Sequence, residues 1–367
     1  MIISQTICEI ICISILNTII SHPQPNCNDM KKLLFGALML GFMTACNNDN
    51  VSNQNELQAE QETPSAIASK RICPSEEMRQ EALQKDPALR QKVEEIEANA
   101  KRYSNNLALG KVLADGTVEI PVVVNVIYKT AAQNVSDARI AEQIAILNAD
   151  YGGTNSDVLQ IPTEFQGVKA GDVKVRFRLV NTIRKTTTKT SWSKTDRANN
   201  TMKKASTGGI DATTPANYFN IWVVGSMPDT QGSILGYATF PEDAGTWKDG
   251  VVIAAPYFGK TGTSAPFNLG RTATHEVGHY LGLRHIWGDT NCGDDLIADT
   301  PTQTTANTGT PSYPLYNTCY GVKRSVMFMN YMDYSDDNSL YMFTAGQKTK
   351  MQSVTSSSGA RSGLRVY

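Results

Sequence analysis

Three of the four histidines in this 367-residue chain lie within eleven positions, as His275, His279 and His285. On a helix, residues four apart lie on one face, one turn above each other, so His275 and His279 direct two imidazoles to the same point. Neutral imidazole is a common zinc ligand, and the carboxylate of Glu276 can take a proton from a water molecule that zinc activates. The spacing therefore predicts a helix that carries a metal site.

Gly282 explains how the third histidine can reach the same point. A helix can end there because glycine adopts the left-handed conformation of a helix C-terminus without a side-chain penalty, and the turn then brings His285 to the ion. Three imidazoles leave one position of a tetrahedral zinc ion open, as in catalytic sites, whereas structural zinc usually has four protein ligands. The alternative, a core helix that carries histidines by chance, requires the glutamate, the glycine and the third histidine to coincide. We predict a catalytic zinc site with Glu276 as the general base.

Hydrophobic periodicity predicts alternating strands and helices around this segment. We expect strands at 118–128, 173–180, 218–224 and 250–254. We expect helices at 136–151, 271–283 and 344–354, with Ser136 and Thr344 as N-caps. The segments 232–238 and 250–253 are candidates for the edge strand that pairs with an extended substrate.

The extended motif His-Glu-x-x-His-x-x-Gly-x-x-His resembles the long zinc signature of the metzincin metallopeptidases. Its flanking sequence is similar to the pappalysin family, in the bacterial branch that contains ulilysin, at 272–274, 286–289 and 299–301. Segment 330–334 resembles the methionine turn of that family, and the similarity spans residues 118–351. The resemblance implies a secreted zinc endopeptidase with a metzincin-like α/β (α+β) fold. In such a fold a twisted mixed sheet with backing helices lies over the zinc helix, above an irregular lower subdomain.

The resemblance also implies roles for single residues after the zinc helix. Met332 becomes the turn methionine that forms a floor for the site, because a thioether beside a metal usually packs and does not bind it. Tyr334 matches a tyrosine that can hydrogen-bond the developing oxyanion, with a packing aromatic as the alternative. Cys292 and Cys319, which bracket the loop after the helix, are expected to form a disulfide as in ulilysin-like proteins.

Two acids beyond the methionine turn, Asp336 and Asp337, are candidates for the specificity pocket. Ulilysin-like proteases prefer arginine next to the cut bond, and a carboxylate binds arginine through two parallel hydrogen bonds where lysine offers a point charge. We expect cleavage before arginine, then lysine. The alternative is that both acids are turn residues or metal donors.

Residues 70–102 are predicted to be a helical pro-segment. Ser75 begins a sequence close to a capping box, and apolar periodicity interrupted at Asp86-Pro87 indicates one or two helices that end near Arg102. Pro-segments of related enzymes carry a cysteine, two residues after a basic residue, that closes the open zinc position, and Cys73 matches this pattern. The alternative is an unpaired thiol without function. Basic pairs place maturation between 101 and 105, before a catalytic domain at 103–367.

The N-terminal region predicts export. Residues 30–46 combine a positive start, an apolar run and small residues before Cys46, which is the layout of a secretory signal and resembles a bacterial lipobox with Cys46 as the lipidated residue. The apolar run is shorter than the ~20 residues that a membrane-spanning helix needs. Residues 1–29 are either a start codon assigned too early or an extra apolar segment, and 47–69 has the composition of a flexible tether.

The composition limits the kinds of molecule that this chain can bind. A net charge of −1 with 41% hydrophobic and 19% charged residues describes a globular protein without a nucleic-acid surface. We expect a monomer that acts on protein or peptide substrates and touches a membrane only through its lipid anchor. Ulilysin-like enzymes bind calcium in the acidic loop that here contains Asp289, Asp294, Asp295 and Asp299, although solvated acids explain these residues equally. The rival from another class is a non-catalytic surface lipoprotein that binds host protein or glycan around a structural zinc, against which the intact Glu276 argues.

Overall fold

A five-stranded twisted sheet lies against the histidine helix in the computed structural model, which describes residues 68–109 and 116–364. The strand order is β2-β1-β3-β7-β6, with parallel pairing except at the antiparallel edge strand β6. In chain order the strands are β1 (Val118–Tyr128), β2 (Val175–Thr186), β3 (Phe219–Val224), β4 (Pro228–Asp229), β5 (Gly232–Ser233), β6 (Gly236–Ala238), β7 (Val251–Ala254), β8 (Tyr316–Cys319) and β9 (Val322–Ser325). The pairs β4-β5 and β8-β9 form two separate hairpins.

Six α-helices accompany the strands in the described part of the chain. They are α1 (Ser75–Lys85), α2 (Pro87–Ala108), α3 (Asp137–Gly152), α4 (Lys194–Ala198), α5 (Arg271–Tyr280) and α6 (Ala345–Thr355). Helix α3 packs against β2 and against α5, and α5 in turn contacts β6 and β7. The sheet thus holds the histidine helix from one side, which confirms the predicted α/β fold.

The central strands are buried because their sequences are apolar on both faces. Residues 120–127 of β1 and all six residues of β3 are buried, as expected for parallel strands that are covered on both sides. The bounds of β1 agree with the prediction, and Ser136 caps α3 through the amide of Arg139. Strand β2 begins two residues later than predicted and continues to Thr186.

The lower part of the molecule, after α5, has little regular structure. Between α5 and α6, β8 and β9 are the only strands in the described chain, and the chain is held by a cluster around Trp287, Met327 and Met329. The disulfide Cys292–Cys319 joins two of these loops. This part is the predicted irregular lower subdomain.

The segment 70–102, named the pro-segment after the prediction, contributes to two helices, with two differences from that prediction. Ser75 is not an N-cap: α1 follows Pro74, and no side chain caps it. Helix α2 ends at Ala108 and not near Arg102, because no glycine or proline interrupts residues 103–108. Asp86 caps α2 by accepting from the amides of Ala88 and Leu89.

Several predictions fall on residues that the structure does not describe. These are the alternatives for 1–29, the signal segment 30–46 with Cys46, and the tether as far as residue 67. Within the described ranges, none of the helices is both long enough and apolar enough to cross a membrane.

Candidate active site

Helix α5 ends with a glycine motif that places the second and third histidines. Gly282 has φ +93°, and the Leu283 amide donates to the Gly278 carbonyl over 2.9 Å, a bond pattern that closes a helix C-terminus. The Leu283 carbonyl then lies 2.8 Å from His279 Nδ1. The helix therefore ends at Tyr280, earlier than the predicted Leu283, and the turn itself orients a site residue.

Each of the three imidazoles has a partner at Nδ1. His275 Nδ1 lies 2.7 Å from the Tyr331 carbonyl, and His285 Nδ1 lies 2.6 Å from Asp289 Oδ1. His285 is also stacked on the Trp287 ring, with centroids 4.5 Å apart. Since a carbonyl or carboxylate oxygen accepts a hydrogen bond from the Nδ1–H group, each Nε2 keeps its lone pair for a metal.

The Nε2 atoms converge, and the donor set fits a zinc ion. One ligand atom from each of Cys73, His275, His279 and His285 lies within 4.8 Å of the others, and this is the only such group among the described residues. His275 Nε2 is buried without a hydrogen-bond partner, although buried polar atoms are normally bonded. Burial and the neighbouring imidazoles lower the pKa of His275 and His279 well below the usual value, so both rings are neutral, as ligands must be.

Met332 lies directly against α5. A Cβ built on Gly278 would come within 2.4 Å of the Met332 sulfur, so a glycine at the centre of the motif is what lets the methionine approach the helix. Met332 is fully buried, and its amide donates to Asn330 Oδ1 over 3.0 Å. Met332 thus packs against the helix that carries the histidines, and its role as the floor of the site stays a prediction.

Glu276 lies beside the histidines and faces the pro-segment. Cys73 Sγ and Ser75 Oγ lie 3.3 Å and 3.2 Å from Glu276 Oε2. Burial raises the pKa of Glu276 to about 7. Burial and the Glu276 carboxylate also raise the pKa of the Cys73 thiol well above its usual value, so the thiol donates to the carboxylate. Sequence reasoning missed this role of Ser75, because a serine before a helix is typical of a cap.

Tyr334 touches the backbone of the same pro-segment residue. Its hydroxyl donates to the Cys73 carbonyl over 2.9 Å and accepts from the Cys73 amide over 3.3 Å. Its ring lies 4.9 Å from the His285 ring. The hydroxyl therefore reaches a backbone peptide group beside the metal site.

Arg71 of the predicted pro-segment also enters the cleft. Arg71 Nη2 bonds Asp337 Oδ1 over 2.7 Å, and both side chains are buried. Asp337 Oδ2 also accepts from the Leu269 amide over 2.8 Å. Asp336 does not share this pocket, because its carboxylate accepts from the Thr310 hydroxyl. The structure thus separates the two predicted specificity residues.

The free edge of β6 borders the pro-segment. The Leu235 amide donates to the Ile72 carbonyl over 3.4 Å, and the Ala238 amide donates to Ser75 Oγ over 2.9 Å. Segment 232–238 therefore contains the edge strand. The candidate 250–253 was wrong, because β7 is paired on both sides, with β3 and with β6.

The acids of the loop in which calcium binding is predicted have separate partners. Asp289 bonds His285, Asp295 accepts from the Thr300 hydroxyl, and Asp299 accepts from the Thr344 hydroxyl and the Gly346 amide. Within the described residues these acids do not form a second group of side chains that could hold a metal.

Comparison with known proteins assigns this geometry to a family. A peptidase M43 family model, described as pregnancy-associated plasma protein-A, matches residues 208–356. An extracellular metalloprotease of Verticillium alfalfae is 34% identical over 267 residues, which cover 69% of this chain and 81% of that protein. One of Pyricularia oryzae is 34% identical over 228 residues, covering 61% of this chain and 69% of that protein.

Solved structures match as well. Tannerella forsythia mature mirolysin in complex with a cleaved peptide is 39% identical, with a TM-score of 0.64, and the match covers 69% of this chain and 97% of that one. A mutant of Tannerella forsythia promirolysin is 36% identical, with a TM-score of 0.71, and covers 81% of this chain and 98% of that one.

The sheet, the helix with its histidine pair and glutamate, and the methionine turn define a metallopeptidase of the metzincin class. The chain belongs to the pappalysin family of metalloproteases, and its fold is that of mirolysin. A protease acts on protein or peptide substrates.

Proposed function

We propose that this protein is an exported zinc endopeptidase, made as a latent precursor, that cleaves protein chains before arginine and, more slowly, before lysine. The observation that carries the proposal is the joint contact of one short stretch, residues 71–75, with the histidine cluster, Glu276, Tyr334 and Asp337. That stretch occupies every group that a substrate would need.

In the mature enzyme His275, His279 and His285 would hold the zinc ion. When bound, zinc supplies Lewis-acid chemistry, because it polarises the scissile carbonyl and lowers the pKa of water toward ~7. Glu276 accepts the proton of the attacking water and passes it to the leaving amine. The Tyr334 hydroxyl donates a hydrogen bond to the Cys73 carbonyl in the precursor, and the same hydroxyl can hydrogen-bond the oxyanion of a substrate.

In the precursor the thiol of Cys73 would occupy the remaining zinc position. A thiolate is a strong zinc ligand, and the positive ion favours the deprotonated form. The hydroxyl of Ser75 and the peptide group of Cys73 meanwhile engage Glu276 and Tyr334. Latency thus combines a blocked metal with two engaged catalytic side chains.

The same stretch supports the proposed specificity. The guanidinium of Arg71 enters a buried pocket where it bonds Asp337 and lies 5.1 Å from the centre of the Phe267 ring. Arginine is favoured there over lysine because Asp337, with one oxygen held by the Leu269 amide, presents the other in a fixed direction. We assign Asp337, and not Asp336, as the residue that selects arginine after the cut bond.

Export and maturation complete the proposal. The extracellular relatives support export, and the lipobox-like sequence before Cys46 supports a lipid anchor at the cell envelope. More of the chain matches promirolysin than mature mirolysin, which supports a pro-segment. We propose cleavage between 101 and 105, in the second half of α2. A calcium ion in the acidic loop stays a prediction.

Paired variants of the processed enzyme test the catalytic proposal. Glu276→Ala should retain zinc, since the carboxylate is not a ligand, and lose activity by ~10²–10⁴-fold, the usual contribution of a general base. His285→Ala should instead lose zinc. Casein hydrolysis, its inhibition by a chelator and the zinc content of each variant are measured together. A Glu276→Ala enzyme that binds zinc and cleaves casein like the parent would contradict the role of Glu276 as the general base. A parent enzyme that does not cleave casein would favour the non-catalytic alternative, in which the metal is structural.

A further inference from the structure

A second arginine of the pro-segment is buried in the catalytic domain, on α1. Arg79 Nε lies 2.5 Å from Glu242 Oε1, and the two side chains are 6% and 2% exposed. The Arg79 guanidinium also lies over the Phe240 ring, 4.5 Å from its centre. Glu242 and Phe240 therefore form a wall with a carboxylate and an aromatic face, which are the two groups that best bind a guanidinium.

This wall and the Asp337 pocket contact opposite ends of the segment 71–79, through Arg79 and Arg71. The pro-segment runs in the direction of β6, with Ile72 bonded at Leu235 and Ser75 bonded at Ala238. Arg71 therefore lies at the beginning of the edge strand, and Arg79 lies beyond its end. The Phe240 ring is 5.1 Å from the His279 ring, so the wall borders the metal site directly.

The ion pair of Glu242 is made with a residue of the pro-segment. Among the described residues, Arg79 is the only ion-pair partner of Glu242, whereas the adjacent Asp243 pairs with Lys248 of the same domain over 2.8 Å. A buried carboxylate without a partner is costly. Removal of α1 would leave Glu242 facing a groove, where a cavity of about 110 Å³ already lies between α1 and this wall.

We propose that Glu242 and Phe240 form a second cationic subsite, which takes an arginine or lysine side chain upstream of the cut bond. The inference rests on the proposed function, because the Asp337 pocket defines the downstream side. Arg79 occupies this subsite in the precursor as Arg71 occupies the downstream pocket. The preferred substrates are thus polypeptides with basic residues on both sides of the bond.

The test uses the processed enzyme and peptides that carry arginine after the intended cut. Each of the four upstream positions is changed in turn from arginine to citrulline, which keeps the shape and removes the charge. We expect kcat/KM to favour arginine about tenfold at one position, as for a charge-assisted hydrogen bond. The preference should disappear in Glu242→Gln and persist in Asp243→Asn, the neighbouring acid with its own partner.

The outcomes separate this inference from the proposed function. Cleavage of all peptides by the unaltered enzyme at equal rates, with arginine or citrulline upstream, overturns the subsite and leaves the protease intact. A preference that survives in Glu242→Gln assigns the charge to another residue and also overturns it. If the unaltered enzyme cuts no peptide at all, the proposed endopeptidase function is wrong, and the subsite is overturned with it. The comparison within the unaltered enzyme needs no variant to fold.

Discussion

Two parts of the pro-segment differ in how they meet the catalytic domain. Residues 71–75 insert Arg71, Cys73 and Ser75 into the cleft as buried side chains. Helix α2 is longer, yet it has no buried residue, and it contacts α6 through the ion pair of Glu97 and Lys350. In the proposed precursor, residues 71–75 would therefore block the site, whereas α2 contains the proposed cleavage region, which a protease must reach.

The largest effect should come from Cys73→Ala in the precursor. Loss of a residue that hydrogen-bonds a metal ligand typically lowers metal affinity or activity by about 10–100-fold. Loss of a direct ligand such as Cys73 should have at least the larger of these effects, so the rate of self-processing should rise by roughly 10²-fold. The rate is followed as loss of full-length chain. The double variant Cys73→Ala, Glu276→Ala should stay intact if the cleavage is its own. A Cys73→Ala precursor as inert as the parent would place latency outside this stretch.

A smaller effect is expected from Arg71→Gln. The variant removes a buried, charge-assisted bond to Asp337, but Asp337 keeps its bond to the Leu269 amide. The rate of self-processing should therefore rise about tenfold. Lys70→Gln is the matched control, because among the described residues this neighbouring basic residue bonds the amide oxygen of Gln231 at the surface. If both variants process themselves equally fast, the net charge of the pro-segment, and not the Asp337 pocket, holds it in place.

The smallest effect should follow from Glu97→Gln in α2. Its carboxylate is 31% exposed, whereas its partner Lys350 is 8% exposed, so the pair contributes at the upper end of the range for exposed pairs, about 1 kcal/mol. The rate of self-processing of the precursor should not change, and its melting temperature should fall by less than about 4 °C. An activation comparable to that of Arg71→Gln would remove the contrast between the two parts.

The sequence predicted the metal site better than it predicted the covering segment. The three histidines and Glu276 belong to one local pattern, so their spacing predicted them together, whereas Met332 was expected only from the family resemblance. Ser75 was interpreted as a helix cap, because nothing local shows that its hydroxyl faces Glu276, 201 positions away.

Contacts made by backbone atoms gave no sequence signal either. The carbonyls of Tyr331 and Leu283 orient two of the histidines, and any residue type supplies a carbonyl. Asp289 did have a sequence signal, since it is an acid four residues after His285, but its position groups it with the acids of the calcium loop. Asp336 and Asp337 are adjacent acids, and only the fold decides which one is turned toward the pocket.

The most direct test of the account is zinc X-ray absorption on the Glu276→Ala precursor, which cannot process itself. The account predicts one sulfur and three nitrogen ligands, with the sulfur lost in the additional variant Cys73→Ala. A spectrum of the uncut precursor with nitrogen and oxygen ligands only would contradict it, because the metal would then be open while the pro-segment is in place.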